Sequence, residues 1–274
     1  MAKLAITLKL SRLSALADAA VNRAAAFLAI GLRAAEGATP TSLALSQHSA
    51  IQILPDPLPD DAARAILGEW QAWITGAALR ELDESFSLFL ERAFEAIILI
   101  ESHGGTLSSD RRRELSKLHG DTNTRSRLEK VLSRIELPLD PVRHFSTISS
   151  VRNLLTHNAG VVRSRDCQTD NTFTITWIGM DVIVSLVEDS SELLRYSGNG
   201  PMTPLTVPKD SEVALQFVER KRAFSVGEAA HLSPHDLHEI CYMFRRTAQR
   251  IVTGIAAFGI WNGVNVGSLD SKST

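Results

Sequence analysis

The sequence predicts a mainly α-helical fold carrying one small β-rich insertion. Three observations support that expectation. Apolar residues recur at spacings of three and four through Leu79, Leu82, Phe86, Leu90, Ala93, Ile97 and Ile100, the period of an amphipathic helix. A second stripe, Leu237, Cys241, Phe244, Ala248, Ile251 and Ile255, follows the helix-start pair Ser233–Pro234. Between the two, Phe173, Ile175 and Trp177 alternate with Thr172, Thr174 and Thr176, the period of a strand with one buried face.

The elements follow in order. Lys3 to Leu10 alternates apolar and polar residues and reads as a short strand; Ser11 to Glu36 reads as a helix stopped by Gly37. Pro40, Pro55, Pro57 and Pro59 mark a linker-like break over residues 39–59. Asp60 or Asp61 is the expected cap of a helix with Trp70 and Trp73, and Gly76 is the expected break before the long stripe, which closes at Gly104 and Gly105. Ser108 or Ser109 starts a short helix broken near Gly120. Thr122 or Thr124 starts the next, with Leu128, Val131, Leu132 and Ile135 inward and Pro138 as its stop. Pro141 opens a helix through Phe145, Ile148, Val151 and Leu155 that ends near Asn158 and Gly160. In the insertion, Gly179 to Asp181 reads as a turn and Val182 to Val187 as a second strand or short helix. Residues 197–208 read as a Gly/Pro loop, and Val213, Leu215 and Phe217 as a strand, with Glu219 to Arg222 turning into a partner that ends at Val226. The expected organisation is an N-terminal helical region (1–76), a helical domain (77–265) with the insertion at about 172–227, and a flexible tail (266–274).

Hydrophobic residues make up 44% and charged residues 22%, enough apolar material for a core that needs neither disulfides nor metals. A formal charge of −2 excludes a histone-like polycation but leaves room for a local basic patch. Cys167 and Cys241 lack metal-type spacing and read as free thiols in a reducing compartment, hence a cytoplasmic protein. No apolar run is expected to reach the ~20 residues that span a bilayer, so no membrane partner is expected. Met1 to Ala35 resembles a targeting segment in its Ala, Leu and Arg content. Asn22, Arg23 and Arg33 interrupt it, and it reads as an amphipathic part of the fold.

The segment that carries chemistry is Val151-Arg152-Asn153-Leu154-Leu155-Thr156-His157-Asn158-Ala159-Gly160. An always-charged guanidinium is suited to a phosphorane oxygen, an imidazole to moving protons near neutrality, and Asn153 to orienting either. On an ideal helix five residues rotate a side chain by about 140°, so Arg152 and His157 converge only if the helix ends or distorts between them. Thr156, Asn158 and Gly160 offer such an ending, with Gly160 or Asn158 at positive φ.

This pattern resembles the signature of HEPN domains: Arg, then a polar residue, then His after a gap of four to six. HEPN domains are up-and-down helical bundles with the motif near the end of the third core helix. The resemblance covers roughly Ala78 to Phe258, with the β-rich stretch as an insertion and the N-terminal helical region as an addition. It implies a metal-independent endoribonuclease without cofactor, with Arg152, Asn153 and His157 as catalytic residues. It also implies a homodimer whose motifs face each other across a twofold axis. The biological role implied is that of a toxin or anti-phage defence effector, with an antitoxin or regulatory protein as a possible partner. Some HEPN toxins carry a Tyr two residues after the His, the target of a nucleotidyltransferase; Ala159 stands there, which argues against that control. The competing reading is a non-catalytic dimeric module that binds RNA, nucleotide or protein, with Arg152 paired to a carboxylate and His157 capping carbonyls.

Asp110 to Arg134 holds Arg111, Arg112, Arg113, Lys117, Arg125, Arg127, Lys130 and Arg134 against four acids. Read as a phosphate-binding rim, the run contributes Arg111, Arg112, Arg113, Arg125 and Arg127, extended by Arg143, His144 and Asn158; read otherwise, it is a solvated helix face. His231, His235, His238 and Glu239 straddle a helix start without the spacing of a His-Glu-x-x-His site, so no metal ligands are assigned. Trp70, Trp73, Phe86, Phe89 and Phe94 lie on helical stripes and are expected in the core.

Overall fold

The computed structural model describes residues 9–35, 59–103, 105–121, 123–157, 160–168, 171–187, 192–197 and 209–264. Among them are six α-helices and one three-stranded antiparallel sheet, so the chain is mainly α. The expected strand at Lys3 to Leu10 lies almost wholly outside these residues, as do the Gly37 stop, the linker up to residue 58 and the tail.

Helix α1 (Leu10–Ala35) packs Leu13, Ala17, Val21, Ala24 and Leu28 into the same core as the rest of the bundle. By length and composition alone it is apolar enough to cross a membrane, which corrects the expectation that no stretch of the chain is. In this fold its polar groups are tied to other helices: Arg23 pairs with Glu81 at 2.7 Å, and Asp18 with Arg245 at 2.9 Å.

Helix α2 (Asp60–Glu101) is continuous over 42 residues, so Gly76 does not divide it. The reason for a glycine there is proximity. A Cβ at Gly76 would lie 3.2 Å from Leu155 Cβ, where the last turn of a later helix closes on α2. The boundary expected after residue 76 therefore falls inside one helix. Pro59 occupies the N-cap position and makes no side-chain cap bond, while Asp60 and Asp61 sit in the first turn, where negative charge meets the helix dipole. Phe86, Phe89 and Phe94 are buried as expected; Trp70 and Trp73 are exposed instead, with Trp70 Nε1 donating to the Gly31 carbonyl at 3.1 Å.

Helices α3 (Ser109–His119) and α4 (Thr124–Arg134) lie against the C-terminal half of α2. Ser108 caps α3 as read; α4 is capped by Asn123, whose Oδ1 accepts from the amides of Arg125 and Ser126. Helix α5 (Pro141–His157) buries Phe145, Ile148, Val151 and Leu155. Helix α6 (Pro234–Trp261) opens with a reciprocal capping box between Ser233 and Asp236. Phe86, Phe145 and Phe244 meet at centroid distances of 4.6 to 5.2 Å and join α2, α5 and α6 at one point.

The insertion forms β1 (Thr172–Leu186), β2 (Glu192–Tyr196) and β3 (Ser211–Ser225), in the order β2-β1-β3. β1 pairs with β3 from Thr172↔Ser225 to Leu186↔Ser211 without interruption. The expected turn at Gly179 to Asp181 is therefore absent, and so is the expected turn at Glu219 to Arg222. Gly179 makes room for charge: a Cβ there would lie 2.5 Å from Glu239 Oε1 and 2.6 Å from Arg220 Nε. The buried Glu239 carboxylate of α6 accepts from Trp177 Nε1 at 2.8 Å and the Met180 amide at 3.0 Å, and pairs with Arg220 at 3.2 Å. Burial opposes its ionisation, but those bonds and the Arg220 charge outweigh it and hold the carboxyl below its ordinary value. Glu239 is thus the anchor between sheet and helix; His235 Nε2 lies 3.1 Å from its Oε1, and His231 and His238 of the same stretch are exposed.

The glycines of α2 make opposite predictions. Gly76→Val should cost about 1–3 kcal/mol by forcing α2 and α5 apart. Gly68→Ala, where a Cβ meets nothing within 4 Å, should stabilise by about 0.5–1 kcal/mol. Urea unfolding midpoints decide; equal effects at both positions would mean that α2 and α5 do not approach at Gly76.

Candidate functional site

Arg152, Asn153 and His157 occupy the last turns of α5. The helix is regular through His157, its final residue, so the expected distortion between Arg152 and His157 does not occur; the chain departs only afterwards. Gly160 takes φ +79° and its amide donates to the Leu154 carbonyl at 3.2 Å. The following segment is clamped to the approach of α6: the Ala230 amide donates to the Gly160 carbonyl at 2.9 Å, and the Val162 amide to the Glu228 carbonyl at 2.9 Å. The close contact of Gly76 with Leu155 fixes this end of α5 from the other side. Three constraints thus hold a helix end that carries three exposed residues, Asn153, Thr156 and His157.

Arg152 is held by a residue that sequence reading missed. Its Nη1 lies 2.9 Å from Oδ2 of Asp83, with side-chain exposures of 23% for Arg152 and 8% for Asp83. Ser149 Oγ donates to the other Asp83 oxygen at 3.1 Å, and Arg152 Nη2 donates to Asn153 Oδ1 at 2.7 Å. Thr156 Oγ1 donates back to the Arg152 carbonyl at 2.8 Å. The signal for Asp83 was present: it stands on the stripe of Leu79, Phe86 and Leu90, where a carboxylate needs a partner. The His157 side chain makes no hydrogen bond or ion pair among the described residues and is open to solvent. Asn158 lies outside the described residues.

The basic run fares differently residue by residue. Arg127 is buried and spent on structure, pairing with Glu91 at 3.2 Å and donating to Ser87 and the His119 carbonyl, so it is withdrawn from any rim. Arg111 is shared between Glu101 at 2.7 Å and Glu114 at 2.8 Å, and Arg134 binds the same two acids. Glu101 lies five helical turns beyond Asp83, about 27 Å along α2, so this cluster is remote from Arg152. Arg113 reaches only Asp110, at 3.6 Å, and Arg112, Lys117 and Arg125 make no ion pair among the described residues. Arg143 is paired with Glu219 of β3. His144 is 1% exposed, with Nδ1 2.9 Å from Thr176 Oγ1, and is likewise withdrawn from the rim. Glu91, Glu95 and His119 gather their ligand atoms within 4.8 Å, a grouping split between two helices and so invisible in spacing. Both carboxylates already have guanidinium partners, Arg127 and Arg92.

No family model, no curated protein and no solved structure matches this chain.

A double-mutant cycle tests the Arg152–Asp83 pair. Arg152→Ala strands a mostly buried carboxylate, and its cost should fall in an Asp83→Asn background by a coupling of about 1–3 kcal/mol. Additive costs would mean the pair is not formed in solution.

Asp121 gives an acid-range prediction. Burial raises its carboxyl, but bonds from Lys130, Ser126 and the Asn123 amide, with the Lys130 charge, bring it from 3.8 down to about 2. A depressed folded value stabilises above about 3.8 and loses that contribution as pH falls to about 2. Lys130→Met should therefore lower the urea midpoint at pH 5 by an amount worth about 1 kcal/mol or less, since the pair is partly solvated, and lower it much less at pH 2, where the folded carboxyl is about half protonated.

Proposed function

We propose that the chain is an HEPN-like endoribonuclease that cleaves RNA without a metal ion at the end of α5. The observation that carries this reading is the paired state of Arg152 and the open state of His157. Asp83, Ser149 and Asn153 set the direction of the guanidinium while leaving part of it exposed, and His157 stands free on the helix end. In the reaction the RNA 2′-OH attacks its neighbouring phosphorus and the bond to the 5′-oxygen breaks. His157 takes the hydroxyl proton or protonates the leaving oxygen, and Arg152 bears the charge that gathers on the phosphorane oxygens. The product is a 2′,3′-cyclic phosphate. A homodimer would supply two copies of each group to one cleft, and a toxin or anti-phage defence role is the biological setting of this proposal.

The Arg152–Asp83 pair also favours a second reading, in which the arginine is a structural tie and the domain is a non-catalytic binding module. Incubating the protein with total RNA in EDTA separates the two. Cleavage should persist in EDTA, leave 2′,3′-cyclic or 3′-phosphate ends, and fall at least about a hundredfold in His157→Ala with the fold intact. Cleavage that requires Mg²⁺ and leaves 5′-phosphates, or equal cleavage by His157→Ala, would refute the first reading; no cleavage at all would leave the binding module.

A further inference from the structure

At the opposite end of α5, a cavity of about 160 Å³ opens between the start of that helix, the middle of α6 and strand β3. We propose that this cavity binds a phosphate monoester, with Arg246 and Arg250 as its anion contacts. The proposal is independent of the ribonuclease reading, since none of its residues belongs to the Arg152–His157 end.

The first argument is uncompensated charge. Arg246 and Arg250 stand one turn apart on α6 and both line the cavity, and neither makes an ion pair with a described residue. Elsewhere the partly buried arginines are matched: Arg111, Arg127, Arg134, Arg152 and Arg220 each face a carboxylate. Burial first, and then the like charge of Arg250, lower the Arg246 pKa from its ordinary value. One carboxylate, Asp140, lines the cavity and leaves a net positive charge against the two arginines. The N-terminus of the 17-residue α5 adds positive potential from the same side, because Pro141 begins the helix there.

The second argument is an unpartnered buried atom. His144 lines the same cavity; Thr176 occupies its Nδ1, and its buried Nε2 has no hydrogen-bond partner among the described residues. Burial, followed by the neighbouring Arg143 charge, lowers the His144 pKa, so the ring is neutral at neutral pH and can donate or accept one bond. A buried ring nitrogen left unpaired is destabilising; less than 1 Å² of Nε2 is open, so a ligand oxygen reaches it only with a shift of the cavity wall.

The third is the wall for the organic part of the ester. Arg246 lies 3.2 Å from the centroid of Phe217, and Tyr242 is parallel to that ring at 6.3 Å. The ring keeps the guanidinium plane in place and offers an apolar surface beside it. The cavity is smaller than the ~300 Å³ of a site that encloses a whole drug-sized ligand, so it admits the phosphate and the group next to it, with the remainder in solvent.

Titration calorimetry of the whole chain with inorganic phosphate, AMP and adenosine tests this. Phosphate and AMP should bind with one-to-one stoichiometry and compete, and adenosine should not bind. Arg250→Gln, at an exposed position that folding does not need, should weaken both by about tenfold, and Arg246→Gln by at least as much. Arg64→Gln, at an exposed position of α2 outside the cavity, should change nothing. Absence of saturable binding at millimolar phosphate and AMP would overturn the proposal. So would adenosine binding as tightly as AMP, or Arg64→Gln weakening binding as much as Arg250→Gln.

Discussion

The bundle is built around the inner half of α2. From Ile74 to Ile100 this helix buries residues on nearly every side, because α1, α3, α4, α5 and α6 all pack against it. A helix surrounded in this way must be apolar all round, and the run of Leu79, Phe86, Phe89, Leu90, Phe94, Ile97 and Ile98 meets that demand. Asp83 is the departure. A carboxylate at that depth is tolerable only with a cation and hydrogen bonds, and α5 provides both in Arg152 and Ser149. The position of Arg152 is therefore fixed first by the needs of the core. Its candidacy for phosphate chemistry rests on the fraction of the guanidinium that the pairing leaves open.

The same dependence explains what was legible in the sequence. The inward positions of α4, α5 and α6 follow from local periodicity, and the α6 start follows from Ser233 and Pro234, because those signals are complete within a few residues. Gly76 and Gly179 misled for one shared reason. A glycine either frees the backbone or omits a Cβ, and sequence alone does not distinguish the two. Here both omit a Cβ, for Leu155 in one case and for the Glu239–Arg220 pair in the other, and those neighbours lie far along the chain. The candidate site divides in the same way. Arg152, Asn153 and His157 are adjacent on one helix and readable as a group, whereas Asp83 belongs to another helix. The basic run showed its charge but not its partners, and the partners remove Arg127 and tie down Arg111 and Arg134.

Electrostatics divides the molecule into two kinds of region. Where helices and sheet dock, charges are closed into networks: Glu239 with Arg220 and Trp177, Glu101 with Arg111 and Arg134, Asp181 with Arg195 and Arg220. Such networks fix orientation more than they add stability, because desolvation offsets much of the attraction. At the two ends of α5 the charges remain open. His157 is free at the C-terminal end, and Arg246 and Arg250 are unpaired near the N-terminal end.

The regularity of α5 bears directly on how its C-terminal end could act. With the helix intact through His157, Arg152 and His157 differ by about 140° around the axis, so within one chain they do not present to a common point. Arg152 is turned toward α2 by Asp83, while His157 looks outward. In the proposed dimer, a second copy related by a twofold axis would resolve this without bending the helix, by setting the His157 of one chain against the open edge of Arg152 in the other. In the proposed ribonuclease, a dimer would suit a straight α5, and the fixed helix end would hold the two outward histidines in register.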